Sequence, residues 1–265
     1  MTGKSYPGTE VCVYCMRPFA PHELTDEHII PEALGGALIF KKAACICCAR
    51  HSNQAYENIA LQADFLVPRL LLELKRKRQN QKTPKKLPLA SSQCFSPENS
   101  AHVVYDLELE VAQYPQVFDW IVIEPPGKLV GIERGEGLKG MWIQHIDLGI
   151  RSTLSYPVST RHMHNHTAFG LTVVKIGYCF AMAERGFDKF DGSEVRDLLS
   201  GKRNDLYNFF GSSSDGSSIR LDQLHHISLI EEKGFLIARV QLFASCAALP
   251  YLVVLGPILP LKIPT

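Results

Sequence analysis

Hydrophobic and polar positions fall into two patterns that change near residue 100. From Asn53 to Arg78, apolar residues stand at Tyr56, Ile59, Ala60, Ala63, Val67, Leu70, Leu71 and Leu74. This three-and-four spacing lines one face of an amphipathic helix. Pro68 lies inside the run and predicts a kink or a restart, because proline lacks the amide hydrogen and crowds the preceding turn. The run ends on Lys75, Arg76, Lys77 and Arg78, where positive charge suits a helix C-terminus. Gln79 to Ser100 is polar, is interrupted by Pro84, Pro88 and Pro97, and reads as a linker or extended arm.

Beyond residue 101 the apolar residues come in short runs. His102 to Tyr105, Val117 to Ile123, Leu129 to Ile132 and Met141 to Ile146 predict strands. Thr167 to Glu184 is a long apolar stretch with few turn signals, and it predicts a buried helix that contains Lys175 and Cys179. Ser193 to Leu199 predicts a second helix, followed by a Ser/Gly-rich loop from Gly211 to Ser218. His225 to Ile230, Phe235 to Phe243 and Tyr251 to Leu255 predict strands of one sheet, and no internal repeat is visible. The class expected is α+β, with an N-terminal module over 1–78, a basic, proline-containing linker over 79–100 and a larger α+β accessory domain over 101–265.

Composition narrows this picture. With 46% apolar and 21% charged residues among 265, the chain can bury a sizeable core, which excludes a disordered or fibrous protein. The net charge of +1 conceals an uneven distribution. Between Arg69 and Lys86 stand eight basic residues and one acid, Glu73, so this segment carries +7. Removing it from the totals of 28 basic and 27 acidic residues leaves 20 against 26, or −6. A concentrated basic run suits a polyanion, and its plainer reading is a solvated helix end. The start from Met1 to Val11 lacks the basic-then-apolar order of a signal peptide. Leu249 to Ile258 is too short and too broken by proline to span a bilayer. The location expected is cytoplasmic, with no membrane partner, which favours metal ligation over disulfides for clustered cysteines.

Five of the eight cysteines lie in the first 48 residues, while Cys94, Cys179 and Cys246 are scattered. Cys12 with Cys15, and Cys45 with Cys48, form two thiolate pairs at two-residue spacing. Each short turn can aim two sulfurs at one point, and zinc accepts four such ligands in a tetrahedron, so a structural Zn2+ is expected. Cys47 is a surplus sulfur that could replace Cys45 or Cys48, and His51 lies within reach as a fourth ligand.

Between the pairs lies Asp26-Glu27-His28-Ile29-Ile30-Pro31-Glu32-Ala33-Leu34-Gly35-Gly36. With its flanking knuckles, over about residues 10 to 60, this segment resembles the HNH endonucleases. The resemblance implies a ββα-metal fold: two strands around the Gly-Gly turn, then a helix starting near the second knuckle. It implies that His28 is the general base that activates water for attack on a phosphodiester, and that Glu27 binds a catalytic divalent metal, Mg2+ or Mn2+. An imidazole titrates near neutrality, and a hard cation on a carboxylate can neutralise charge growing on phosphate.

Two positions depart from the family pattern. Family members commonly place His or Asn after the last knuckle cysteine as the second metal ligand; here that residue is Ala49, with Asn53 one turn later or His51 as replacements. The middle Asn has no counterpart in Ile39 to Ala44. Some family members with the same ending share the continuation seen here in Ser52 and Tyr56-Glu57. The function expected is a metal-dependent endonuclease acting on nucleic acid, DNA before RNA, with Lys75, Arg76, Lys77 and Arg78 on the phosphates. The alternative is a non-catalytic zinc-knuckle protein that binds nucleic acid or a protein through a degenerate HNH site. The C-terminal domain is open to roles in target selection, control or homo-oligomer formation. His162, His164 and His166 bring three imidazoles together without a carboxylate or cysteine beside them in sequence, and His225-His226 reads as structural.

Overall fold

The computed structural model describes residues 3–74, 86–94, 102–135, 140–149, 158–160, 164–213 and 221–260. Its N-terminal part is a three-stranded sheet followed by a helical segment. Strand β3 (Leu38–Cys45) is central, with β1 (Lys4–Tyr6) parallel on one side and β2 (Leu24–His28) antiparallel on the other. Leu24 faces Cys45 and His28 faces Ile39, with a bulge between Thr25 and Glu27. The bulged Asp26 accepts from the Lys42 amide at 3.0 Å and pairs with Lys41 Nζ at 2.8 Å. Gly36 closes the β2–β3 connection where no side chain fits, since a Cβ there would lie 2.1 Å from the Ile30 carbonyl oxygen.

The chain then enters α1 (Ile46–Ser52), a π-helical turn (Asn53–Glu57), α2 (Asn58–Gln62) and α3 (Leu66–Leu71). The helix therefore begins seven residues earlier than the apolar periodicity indicates, because Cys45 caps it: its sulfur accepts from the Cys48 amide. It breaks at Ala63 and not at Pro68, which sits in the first turn of α3, where no intrahelical amide donor is required. The wider π turn offsets the forward drift of α-helical four-residue spacing, so Ser52, Tyr56 and Ala60 stay on one buried line.

The rest is α+β, as expected. Its strands are β4 (Lys86–Cys94), β5 (His102–Glu110), β6 (Val117–Ile123), β7 (Met141–Asp147), β8 (Val158–Thr160), β9 (Phe210–Ser212), β10 (His226–Glu232), β11 (Phe235–Gln241) and β12 (Tyr251–Pro257). Its helices are α4 (Gly127–Val130), α5 (His166–Arg185), α6 (Ser193–Leu199) and α7 (Leu206–Phe209). Sheets form in the orders β5–β4–β8, β6–β7 and β10–β11–β12–β9. Two expectations are corrected. Lys86–Cys94, placed in the linker, is a strand paired along its whole length with β5. Leu129–Ile132 is not a strand: α4 starts after Pro126 and ends on a left-handed Gly131.

Helix α5 organises the molecule. One face packs on β11 and β12, so closely that a Cβ on Gly177 would stand 2.9 Å from the Ala238 Cβ. The N-terminal part packs on another face. Ile29, Ile30, Leu34, Phe40, Tyr56 and Phe65 share one apolar cluster with Phe169, Val173, Ile176, Ala238 and Val253. The rings of Phe65, Phe118, Trp120, Phe169, Phe243 and Tyr251 lie at its centre, mostly edge to face or tilted. Only Cys12, Leu24 and Cys45, with the side chains around them, form a separate apolar cluster in the N-terminal part.

Candidate functional site

The first component is the cysteine cluster. The sulfurs of Cys12, Cys15, Cys45 and Cys48 all lie within 4.8 Å of one another, the only such group of His, Cys, Asp and Glu among the described residues. Four thiolates about 2.3 Å from a tetrahedral zinc stand roughly 3.8 Å apart, so the donor set fits that ion. Cys45 and Cys48 are at the cap and one turn into α1, on one side of the helix, whereas Cys47 is exposed and outside the cluster. His51 is also exposed and takes no part. The Cys45 amide donates to Cys12 Sγ at 3.3 Å and the Cys48 amide to Cys45 Sγ at 3.5 Å. Burial acts to raise the Cys15 thiol, but hydrogen bonds from the Arg17 backbone and side chain bring it down to about 7. Burial and three neighbouring thiols push Cys48 far above its ordinary range. Four thiolates at this spacing need a cation among them.

The second component stands at the end of β2. His28 is half-buried, and its Nδ1 is enclosed without a hydrogen-bond partner. Glu27 points the opposite way, as strand alternation requires, into the interface with α5. There it meets Lys175. The ammonium lies 2.5 Å from Glu27 Oε1 and 3.2 Å from Glu57 Oε1, and it donates to the His28 carbonyl at 2.6 Å. The Lys175 side chain is 0% exposed, against 7% for Glu27 and 14% for Glu57. Burial alone would lower the lysine pKa, but the two carboxylates outweigh it and hold the ammonium charged. Burial raises the Glu57 carboxyl, with Lys175 opposing.

This arrangement bears on the divalent ion expected at Glu27. Ala49 supplies no donor atom. Asn53 is exposed and forms no hydrogen bond with Glu27 or His28 among the described residues. Glu27 is already engaged by a cation that has no path to solvent. A dication about 4 Å from that ammonium would meet repulsion of about 8 kcal/mol at an effective dielectric constant of about 20. The residues present therefore do not fit a divalent ion on Glu27 while Lys175 is in place.

Lys75, Arg76, Lys77 and Arg78 lie outside the described residues, as does His162. His164 finds a carboxylate partner distant in sequence: Asp64 accepts from or bonds its Nδ1 at 2.9 Å and also takes the Asn165 amide at 3.1 Å, at the start of α5. His225 is structural, as expected. Its Nε2 contacts the Leu34 carbonyl at 2.6 Å and its Nδ1 accepts from the Phe243 amide at 3.1 Å, which fastens the Leu-Gly-Gly segment to the C-terminal sheet. Lys175, Glu57 and Asp64 were not singled out from sequence as site residues. A signal for Lys175 exists: a lysine inside an otherwise apolar buried helix must have an anionic partner.

Residues 12–63 match the family model for HNH endonuclease. No curated protein and no solved structure matches the chain. The matched span begins at Cys12 and contains both cysteine pairs, β2 with Glu27 and His28, β3, α1 and α2. The chain thus carries an N-terminal HNH endonuclease-family domain, built on a four-cysteine metal site and packed against a larger α+β domain.

Proposed function

We propose that the HNH domain hydrolyses phosphodiester bonds in nucleic acid, DNA before RNA, with His28 as general base. The observation that carries this reading is the placement of His28: within the matched domain it is a half-buried imidazole whose backbone carbonyl accepts from the buried Lys175 ammonium. With its ring proton on Nδ1, the imidazole accepts a proton from water at Nε2. The water oxygen attacks phosphorus, one P–O bond breaks, and the departing oxygen takes a proton from solvent. Cys12, Cys15, Cys45 and Cys48 would hold a zinc ion that ties β3 and α1 to the first knuckle and so fixes the frame of the site. The Lys75 to Arg78 run, which follows α3 in the chain, supplies phosphate contacts without sequence preference.

A second reading, binding without cutting, is favoured by Ala49 and by the engagement of Glu27 with Lys175. One experiment separates the two. The zinc-loaded protein is incubated with supercoiled plasmid, with and without added Mg2+ or Mn2+, beside a His28→Ala variant of equal zinc content. Nicking by the wild type that the variant loses by at least 100-fold supports hydrolysis through His28. An inert wild type that still retards DNA on a gel supports the second reading.

A further inference from the structure

The HNH domain does not end at its own sequence. Three oxygens converge on one buried cation: Glu27 Oε1, Glu57 Oε1 and the His28 carbonyl around Lys175 Nζ. They come from β2 and from the π-helical turn, both inside residues 12–63. The cation comes from α5, 147 positions after His28 in the chain. Hard oxygens around one point are what a divalent ion would seek in such a site. Here an ammonium with three donor hydrogens fills the point and has three acceptors.

We propose that Lys175 is the resident cation of the HNH site: a positioning residue through which the α+β domain completes the site, holding the His28 backbone and keeping Glu27 from ligating a divalent metal. Four residues further along α5, Cys179 Sγ lies 3.4 Å from the Tyr14 hydroxyl of the first knuckle, and Tyr178 donates to the Val13 carbonyl at 2.7 Å. The register of α5 against the zinc knuckle therefore sets where the ammonium arrives. The π turn brings Glu57 to the same point. The ammonium is fully enclosed and does not touch a substrate; it acts through Glu27 and the His28 carbonyl. The proposal rests on reading Glu27 and His28 as the site of the HNH domain.

The test is Mn2+ binding to the zinc-loaded full chain, read as free Mn2+ by electron paramagnetic resonance. Wild type, Glu27→Gln, Lys175→Met and the double variant are compared. Wild type and Glu27→Gln are expected to bind Mn2+ alike, within threefold. Lys175→Met is expected to gain Mn2+ affinity by tenfold or more, and the double variant to lose that gain. A purely structural lysine would not create a metal site when removed. A loss of threefold or more in Glu27→Gln alone would overturn the proposal, because Glu27 would then be a ligand with Lys175 in place. A folded Lys175→Met that gains no Mn2+ site would overturn it too. If Lys175→Met does not fold, as judged by zinc content and circular dichroism, the comparison of wild type with Glu27→Gln decides by itself. Binding is read without cutting. An inert protein that passes loses the nuclease reading and keeps the resident cation; a cutting protein whose Glu27→Gln loses Mn2+ keeps the first and loses the second.

Discussion

Acidification should loosen the HNH domain through a residue of the other domain, His225. Its imidazole is buried, and burial, opposed in part by the hydrogen bond to the Leu34 carbonyl, lowers its pKa from 6.5 to about 4. A histidine whose folded pKa lies below its unfolded value adds stability above the unfolded pKa and loses it as pH falls through the folded one. Between pH 6.5 and 4 the unfolded chain holds one more proton at this residue, so stability drops with falling pH by up to about 1.4 kcal/mol per pH unit. The gap of about two and a half pKa units amounts to about 3 kcal/mol in all. His225→Phe keeps the bulk of the ring and leaves the Leu34 carbonyl and Phe243 amide without their partner, at about 1–3 kcal/mol each. Urea unfolding of both proteins in the presence of zinc, at pH 7.5, 6.5, 5.5 and 4.5, gives the difference in stability at each pH. Protonation of the zinc thiolates is common to both and cancels. The difference should be largest at pH 7.5 and shrink by about 2–3 kcal/mol towards pH 4.5. A difference that stays constant over this range would refute the assignment of a buried neutral imidazole at 225.

Two further outcomes follow from the same structure. Cys48→Ser should lose the bound zinc measured by metal analysis and unfold the N-terminal domain, whereas Cys47→Ser, at an exposed position outside the cluster, should keep one zinc and its melting temperature. Gly36→Ala should lower stability by about 2 kcal/mol or more in urea unfolding, because the added methyl meets the Ile30 carbonyl at 2.1 Å and the β2–β3 connection must shift to admit it.

Much of the N-terminal site was legible along the chain because its determinants are local. Two thiols separated by two residues meet at one turn whatever the rest of the protein does, and the order of knuckle, Glu-His, Gly-Gly and knuckle limits the fold between them. What stayed open was local geometry: Cys45, Cys47 and Cys48 are interchangeable as letters. Only the helix that starts at Ile46 turns Cys47 outward and leaves Cys45 and Cys48 together. The helix prediction missed the start at Ile46, since a sulfur cap and a π turn leave no mark in a three-and-four pattern.

The sequence by itself determined the α+β class, a four-ligand metal site with Cys47 or His51 left open as the fourth ligand, and the course of α5 as a buried helix. Only the tertiary structure decided what Glu27 does. Its partner Lys175 lies 148 positions away, and no spacing rule links a residue of β2 to one in the middle of α5. The same holds for Asp64 with the start of α5, and for His225 with Leu34. Each of these contacts joins a charge or polar group that must be satisfied once buried to a partner delivered by packing, and packing is a property of the whole core. An acidic residue beside a histidine reads as a metal ligand in one dimension; in three, a buried ammonium stands against it.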